Sequence, residues 1–278
     1  MDLFKAVVLG IIQGLTEFIP VSSSAHLAIF PKFFGWDDPG AAFTAVVQIG
    51  TELAVVIYFW RDIVTIAGGW LRGLVNTEAR TSHEWRMGWF VIVGSVPIVL
   101  LGLVFQDTIK HEFRRVALIA LALIVFGLIL GLAERIGRKT KTIEQLTMRD
   151  AILFGLAQAC ALFPGVSRSG GTISMGLFLG YERRAATRYA FLLAIPAVLG
   201  AGIFNIKDIS GENNAYGTGP TIVATVISFV VGLAVIHWLL EYVSRKSYAP
   251  FVIYRIGLGI LVLILVATGA IGSIVVVS

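Results

Sequence analysis

The sequence predicts an all-α polytopic membrane protein arranged as an inverted-topology repeat, each half one re-entrant helix hairpin plus three transmembrane helices. Three observations predict it. Hydrophobic residues fill 57% of the 278 positions and charged residues 14%, against roughly 45–50% and about 25% in soluble domains. Six stretches are long and apolar enough to span a hydrocarbon core. A segment near the N-terminus also recurs, shifted by 145 positions, in the second half. A soluble fold lacks the polar surface to cover so much apolar side chain, so a cytosolic enzyme, a disordered chain and a disulfide scaffold are all excluded. Cys160 is the only cysteine, and no intrachain disulfide can form.

The elements follow in chain order. Residues 3–19 are apolar but end in Glu17, Pro20 and a serine run, and a short apolar piece follows at 27–34. Lys5 ahead of this run imitates a signal peptide, yet its recurrence at 148–169 marks it as part of the fold. Spans are expected at about 43–60, 86–105 and 116–134. Residues 148–163 then end in Pro164-Gly165 and a second serine-rich turn, with a short piece at 172–180, before spans at about 185–204, 219–240 and 250–270. Each hairpin half is too short or too polar to cross alone. Two short helices joined by a Pro/Gly/Ser break fit a re-entrant hairpin whose break is covered by protein.

The hairpins are copies. Ala6, Gly10, Gln13, Phe18, Val21, Ser22 and Ser24 fall on Ala151, Gly155, Gln158, Phe163, Val166, Ser167 and Ser169, seven identities in nineteen positions. Weaker matches continue at Tyr58-Phe59 against Ile203-Phe204, and at Arg61-Asp62-Ile63 against Lys207-Asp208-Ile209. The chain therefore reads as one integral membrane domain of two repeats, about 1–140 and 145–278. An odd number of crossings per half inverts the second copy, which sets the broken helices face to face near the midplane. Loops at 61–86, 135–149, 181–188 and 241–249 hold fourteen Lys and Arg, and those on the other side hold six. The richer side is expected to be cytoplasmic, with both termini outside. The net charge of +5 is read as this positive-inside bias, and no nucleic-acid partner is expected.

Chemistry concentrates at the two breaks. In the first, Gln13 and Glu17 share a helical face at i, i+4, and Ser22, Ser23, Ser24 and His26 follow at the break. An acid at mid-membrane costs about 2.5–3.5 kcal/mol even on lenient scales, so Glu17 is either a functional carboxylate or a partner for another helix. The serines serve either chemistry or close packing. In the second break, Pro164-Gly165-Val166-Ser167-Arg168-Ser169-Gly170-Gly171-Thr172 offers hydroxyls, free backbone and a guanidinium fork matched to phosphate oxygens. Helix-start amides add to that anion site. Arg168 takes the repeat position of Ser23. Brought together, the breaks would form a phosphate site with a hydroxyl, a base and a clamp.

The run Pro164-Gly-X-Ser-Arg-Ser-X-X-Thr172, with Gln13-X-X-X-Glu17 and Ser-Ser-X-X-His26, resembles the undecaprenyl-diphosphate phosphatase (bacitracin-resistance protein) family over essentially the whole chain. The resemblance implies removal of the terminal phosphate of undecaprenyl diphosphate to recycle the lipid carrier of peptidoglycan and other envelope polymers. It also implies a divalent cation, Mg2+ or Ca2+, and a site opening to the outer face of the bacterial plasma membrane. The family carries Glu or Gln at the first position of the acidic motif, and here it is Gln13. Glu52, in Gln48-Ile-Gly-Thr-Glu52, repeats the spacing and is either a second cation ligand beside Glu17 and Gln13 or an intramembrane partner of Arg255. On this reading Arg168, Ser167, Ser169, Thr172 and Ser22 hold phosphate, and His26 moves the proton. Ser23 is preferred as nucleophile, with a metal-bound water as the alternative. Prenyl lipid and membrane are the expected partners, a homodimer is one allowed assembly, and a transporter of the same lipid is the rival class. His83 and His111 are expected in solvated loops, His237 at an interface, and Cys160 in packing.

Overall fold

A computed structural model describes residues 2–36, 38–105, 115–205 and 216–272, so His111 and the Lys207-Asp208-Ile209 match lie outside the described residues. Eleven α-helices and three short 3-10 turns carry the described chain, with no strand among these residues. Hairpin one is α1 (Asp2–Phe18) and α2 (Ser23–Phe33). Then come α3 (Gly40–Tyr58), α4 (Trp60–Val75), α5 (His83–Val104) and α6 (Val116–Ile136). Hairpin two is α7 (Met148–Ala159) and α8 (Arg168–Phe178), followed by α9 (Arg183–Asn205), α10 (Thr218–Arg245) and α11 (Ala249–Ala267). By length and composition α5, α6, α10 and α11 are each fit to cross a membrane, and the bent pair α3–α4 passes that test jointly. Their outward faces stay apolar, with Leu100, Leu103, Leu128, Val226 and Ile253 exposed as lipid requires.

One expectation needs correction. Residues 61–86 are not simply a loop: the chain bends by 68° after Tyr58 and continues as α4. Trp60, Val64, Leu71 and Leu74 are exposed along it, while Arg61 and Arg72 supply its polar component, the pattern of a helix lying at an interface.

Packing follows the pairing set by the sequence repeat. Helix α1 lies along α10, and its counterpart α7 lies along α5; α3 packs on α10 as α9 packs on α5; α6 packs on α11. Each hairpin thus docks against the second full span of the opposite half. Small residues permit the approach. A Cβ on Gly10 would sit 2.6 Å from the Ala224 carbonyl oxygen, and one on its repeat partner Gly155 would strike the backbone of Gly94. Gly10→Leu and Gly155→Leu are each expected to cost about 1–3 kcal/mol or more through overpacking. Gly68→Ala, on α4 with open space around its would-be Cβ, is expected to be neutral or stabilising by up to about 1 kcal/mol. Thermal unfolding of purified protein in detergent separates the three.

Candidate active site

The two breaks end in the same way, on a capping serine of unusual backbone conformation. Ser22 and Ser167 both cap a following helix from the left-handed region, with φ of 74° and 71°. Such a conformation costs about 1–2 kcal/mol for a residue with a Cβ, and both serines are held there by equivalent bonds. The Ser22 hydroxyl accepts from the Ala25 amide at 3.4 Å and lies 3.2 Å from the Ser24 hydroxyl. Ser167 accepts from the Gly170 amide at 3.1 Å and lies 3.1 Å from Ser169. Each cap is followed by the first residue of its helix, Ser23 in one copy and Arg168 in the other.

These two equivalent residues converge on one carboxylate. Ser23 donates its hydroxyl to Glu17 Oε2 at 2.6 Å, and Arg168 Nη2 donates to Glu17 Oε1 at 2.6 Å. Gln13 Nε2 adds a third bond, to Oε2 at 3.1 Å, and reaches Thr51 Oγ1 at 3.3 Å. Glu17 and Arg168 keep only 10% and 19% of their side-chain exposure, so the pair is little screened by solvent. Charge-assisted contacts this short are the strong class of hydrogen bond.

Two cavities flank the pair. One of about 200 Å³ is lined by Ser22, Ser23, Ser24, Gln48, Ser167 and Arg168 along with Glu17. This is room for a phosphate, ringed by hydroxyls and two helix starts whose first amides have no intrahelical acceptor. The other, about 20 Å³, lies between Glu17, Thr51, Glu52, Arg168 and Ser169 and the apolar wall of Phe18, Val55 and Phe191. A larger cavity, about 560 Å³, is lined by Arg61, Asp62, His83, Glu144, Arg188 and others and contains none of these groups. Met87 lines that cavity, and Ile98 lines the phosphate-sized one. Eleven residues of helix separate them along α5, roughly 16 Å.

Other expected site residues are committed elsewhere. Thr172 lines neither flanking cavity and turns its hydroxyl back to the Arg168 carbonyl at 2.7 Å. His26, buried, places Nδ1 2.7 Å from the Ser22 carbonyl and Nε2 2.7 Å from the Tyr254 hydroxyl, and its ring stacks on Tyr254 with centroids 5.6 Å apart. With Nδ1 donating to the carbonyl, Nε2 accepts from the phenol; no hydrogen bond joins the imidazole to Ser23. Glu52 does not pair with Arg255. It accepts one hydrogen bond, from Gln48 Nε2 at 3.3 Å. His83 opens α5 and lines the large cavity, His237 is exposed beside Tyr58, and Cys160 is exposed rather than packed.

Arg255 does something the sequence does not announce. It is fully buried and donates to backbone carbonyls of both breaks. Nη1 reaches the Pro20 oxygen at 3.0 Å, and Nη2 reaches the Gly165 and Val166 oxygens at 2.9 Å each. Nε reaches the Leu123 oxygen at 3.4 Å. Broken helices leave carbonyls without intrahelical donors, and five N–H groups in a rigid fork answer that need. Tyr254, the adjacent residue, holds His26. The only sequence signal for either was a polar Tyr-Arg step inside an apolar span.

A multi-pass membrane protein in which paired helix breaks bury a carboxylate, a hydroxyl and a guanidinium beside a phosphate-sized cavity belongs to the class of intramembrane proteins that handle phosphorylated ligands. Comparison with known proteins narrows the class. Residues 6–261 match the family described as Bacitracin resistance protein BacA, and the chain belongs to that family. The chain is 63% identical to an undecaprenyl-diphosphatase of Nocardioides sp., covering 98% of this chain and 100% of the relative. It is 56% identical to undecaprenyl-diphosphatase 2 of Agrobacterium fabrum, covering 98% and 99%. With an undecaprenyl-diphosphatase of Micrococcus luteus the identity is 53%, covering 98% and 100%.

Arg255→Met removes the donors while keeping much of the side-chain length. It is expected to cost about 3 kcal/mol or more, because several buried carbonyls lose their partner at about 1–3 kcal/mol each. Thermal unfolding in detergent measures this, and a variant that melts within a degree or two of wild type would contradict it.

Proposed function

We propose that this chain hydrolyses undecaprenyl diphosphate to undecaprenyl phosphate and inorganic phosphate in the membrane. Its site opens to the extracytoplasmic face, as the Lys/Arg distribution suggests. The observation that carries the reading is the convergence of Ser23 and Arg168 on Glu17, each at 2.6 Å. Phosphoryl transfer asks for alignment and charge neutralisation more than for elaborate covalent chemistry. The relatives' names give the rival transporter reading no support.

In the proposed reaction the terminal phosphate enters the cavity beside Ser22–Ser24 and Ser167 and takes Arg168 as its partner. The guanidinium fork and the helix-start amides then neutralise charge on the non-bridging oxygens. Ser23 attacks the terminal phosphorus and the bond to the bridging oxygen breaks, so that undecaprenyl phosphate leaves. Glu17 Oε2, already hydrogen-bonded to the Ser23 hydroxyl, takes its proton. Water then hydrolyses the phosphoserine, releasing inorganic phosphate and restoring the serine hydroxyl. In this reading Glu17, expected as a cation ligand, is the base, and His26, expected to move the proton, bonds instead to Tyr254.

The resemblance calls for a divalent cation, which would supply further neutralisation of the diphosphate. Among the described residues no three His, Cys, Asp or Glu side chains gather into a cage. Both Glu17 oxygens are engaged, and Gln13 turns its amide nitrogen to Glu17. The carboxylates that would hold such an ion are Glu17 and Glu52, which line one cavity. Two carboxylates fit an ion of the Mg2+ type, which keeps several water or phosphate ligands.

The test is phosphate release from a prenyl diphosphate by purified protein in detergent. Arg168→Ala and Glu17→Gln are each expected to lower kcat/KM by about 10³-fold or more, the scale seen when a charge-stabilising group is lost from phosphoryl transfer. Ser23→Ala is expected to match them. Residual turnover of Ser23→Ala near the wild-type level would move the nucleophile to water, and no release by wild type would end the hydrolase reading.

A further inference from the structure

Hydrolysis of a phosphoserine asks the site for something its formation does not: a held water. A water attacking phosphorus gives up one proton to a base, and a second acceptor is needed to fix the hydrogen it keeps. The phosphate-sized cavity is short of acceptors. Arg168 only donates. The Ser22 and Ser24 hydroxyls, 3.2 Å apart, share a hydrogen bond, and Ser22 also accepts from the Ala25 amide. Ser167 is taken up in the same way by Ser169 and the Gly170 amide. Ser23 is itself esterified at this stage. Glu17 remains, and it serves as the base.

One polar side chain lining that cavity is left over. Gln48 stands on α3, outside both hairpins. Its Nε2 donates to Glu52 Oε1 at 3.3 Å, and among the described residues its Oε1 accepts no hydrogen bond. A carboxylate at one end of an amide selects the nitrogen, which leaves the carbonyl oxygen for another donor. The backbone of this turn is fixed as well. Thr51 donates its hydroxyl to the Gln48 carbonyl at 2.7 Å and accepts from Gln13 Nε2 at 3.3 Å, and Gln13 donates to Glu17 Oε2 at 3.1 Å. These bonds hold the turn that carries Gln48 in register with Glu17.

We infer that Gln48 positions the water that hydrolyses the phosphoserine, its Oε1 accepting one hydrogen while Glu17 takes the other. The inference rests on the hydrolase reading and deepens it. The water oxygen bonds to phosphorus as the bond from phosphorus to Ser23 Oγ breaks. Glu17 has by then passed the proton of Ser23 to the departing lipid phosphate. It takes one proton from the water and returns it to Ser23 Oγ, and the other stays on the inorganic phosphate. Gln48 neither gains nor loses a proton. A neutral amide suits the task because it orients water without competing for the proton, as a glutamine does in GTP hydrolysis.

The test separates the two half-reactions. A prenyl diphosphate radiolabelled in its terminal phosphate is given to purified wild type and to Gln48→Met, which keeps the length of the side chain and loses both polar atoms. The variant is expected to release lipid phosphate in a burst of about one per chain and to keep labelled phosphate on Ser23 after an acid quench. Its kcat is expected to fall about 10²-fold, the scale of a misplaced reactant. KM is expected to fall with it, so that kcat/KM, set by the first half-reaction, stays within about threefold of wild type. A merely structural role for Gln48 would lower kcat/KM and leave no covalent label. A variant with wild-type kcat, or one that slows both products together without labelled protein, overturns the assignment. Should Gln48→Met fail to fold, Gln48→Asn, which draws the amide back from the cavity, is scored by the same burst and label. Wild type that releases no phosphate ends the hydrolase reading itself, whereas an active wild type beside a slowed, unlabelled variant removes only the role of Gln48.

Discussion

A single guanidinium joins the two interrupted helices, and the site depends on it. Arg255 bonds to Pro20 in one break and to Gly165 and Val166 in the other, tying together segments some 145 residues apart in sequence. Carbonyls freed by a helix break inside a membrane have no water to turn to, and each unpaired group costs several kcal/mol. A neutral donor could satisfy one or two. The planar fork of an arginine satisfies several at once and fixes their relative direction. Since Ser23 and Arg168 each sit one residue beyond a helix cap, their approach to Glu17 is set by the backbone that Arg255 holds. A charge buried without a carboxylate partner is thereby made useful: its counterpart is the summed negative ends of two broken helices.

The repeat divides frame from chemistry. Backbone conformation, caps and crossing glycines are duplicated, as the paired φ angles of Ser22 and Ser167 display. The reactive groups are not. Position 23 is a serine and its mate is Arg168, while Glu17 is matched by Leu162 and His26 by Gly171. A symmetric frame delivers two helix starts to one place, and a few substitutions turn one into a hydroxyl and the other into a clamp. Gln13 and Gln158 mark the boundary of this division. Both are glutamine, but Gln13 bonds to Glu17 and Thr51, whereas both polar side-chain atoms of Gln158 are buried without a partner in the structure.

How much of this could be read from sequence depends on which forces leave a mark in residue type. Apolar run length marks membrane crossing, so the spans at 86–105, 116–134, 219–240 and 250–270 and the helices of the two hairpins are legible to within a few residues. The meeting of Glu17, Ser23 and Arg168 is legible only through the repeat, which sets the two breaks face to face; no residue type in either hairpin announces it. What escaped has no such mark. Helix α4 mixes Arg61, Asp62 and Arg72 with Trp60, Val64 and Leu71, and a window average hides that amphipathic face. Arg255 was offered Glu52 as a partner because sequence displays charges and conceals orphaned carbonyls. His26 was assigned to the serine beside it because nothing in the chain shows that Tyr254, 228 residues away, reaches its Nε2 at 2.7 Å.

The Glu17–Arg168 pair gives the proposed reaction its order of events. In a poorly solvated pocket neither group can be left alone: removing one partner of a buried pair costs about 3–5 kcal/mol. Arg168 can therefore leave Glu17 only for something at least as anionic, and a terminal phosphate with several oxygens satisfies the guanidinium fork better than one carboxylate oxygen does. When it leaves, Glu17 retains the Ser23 hydroxyl on Oε2 and gains a free Oε1. The same exchange that seats the phosphate thus places an uncommitted carboxylate beside the attacking hydroxyl. Substrate recognition and activation of the serine are then a single electrostatic event, which is the economy that two hydrogen bonds of 2.6 Å on one carboxylate make available.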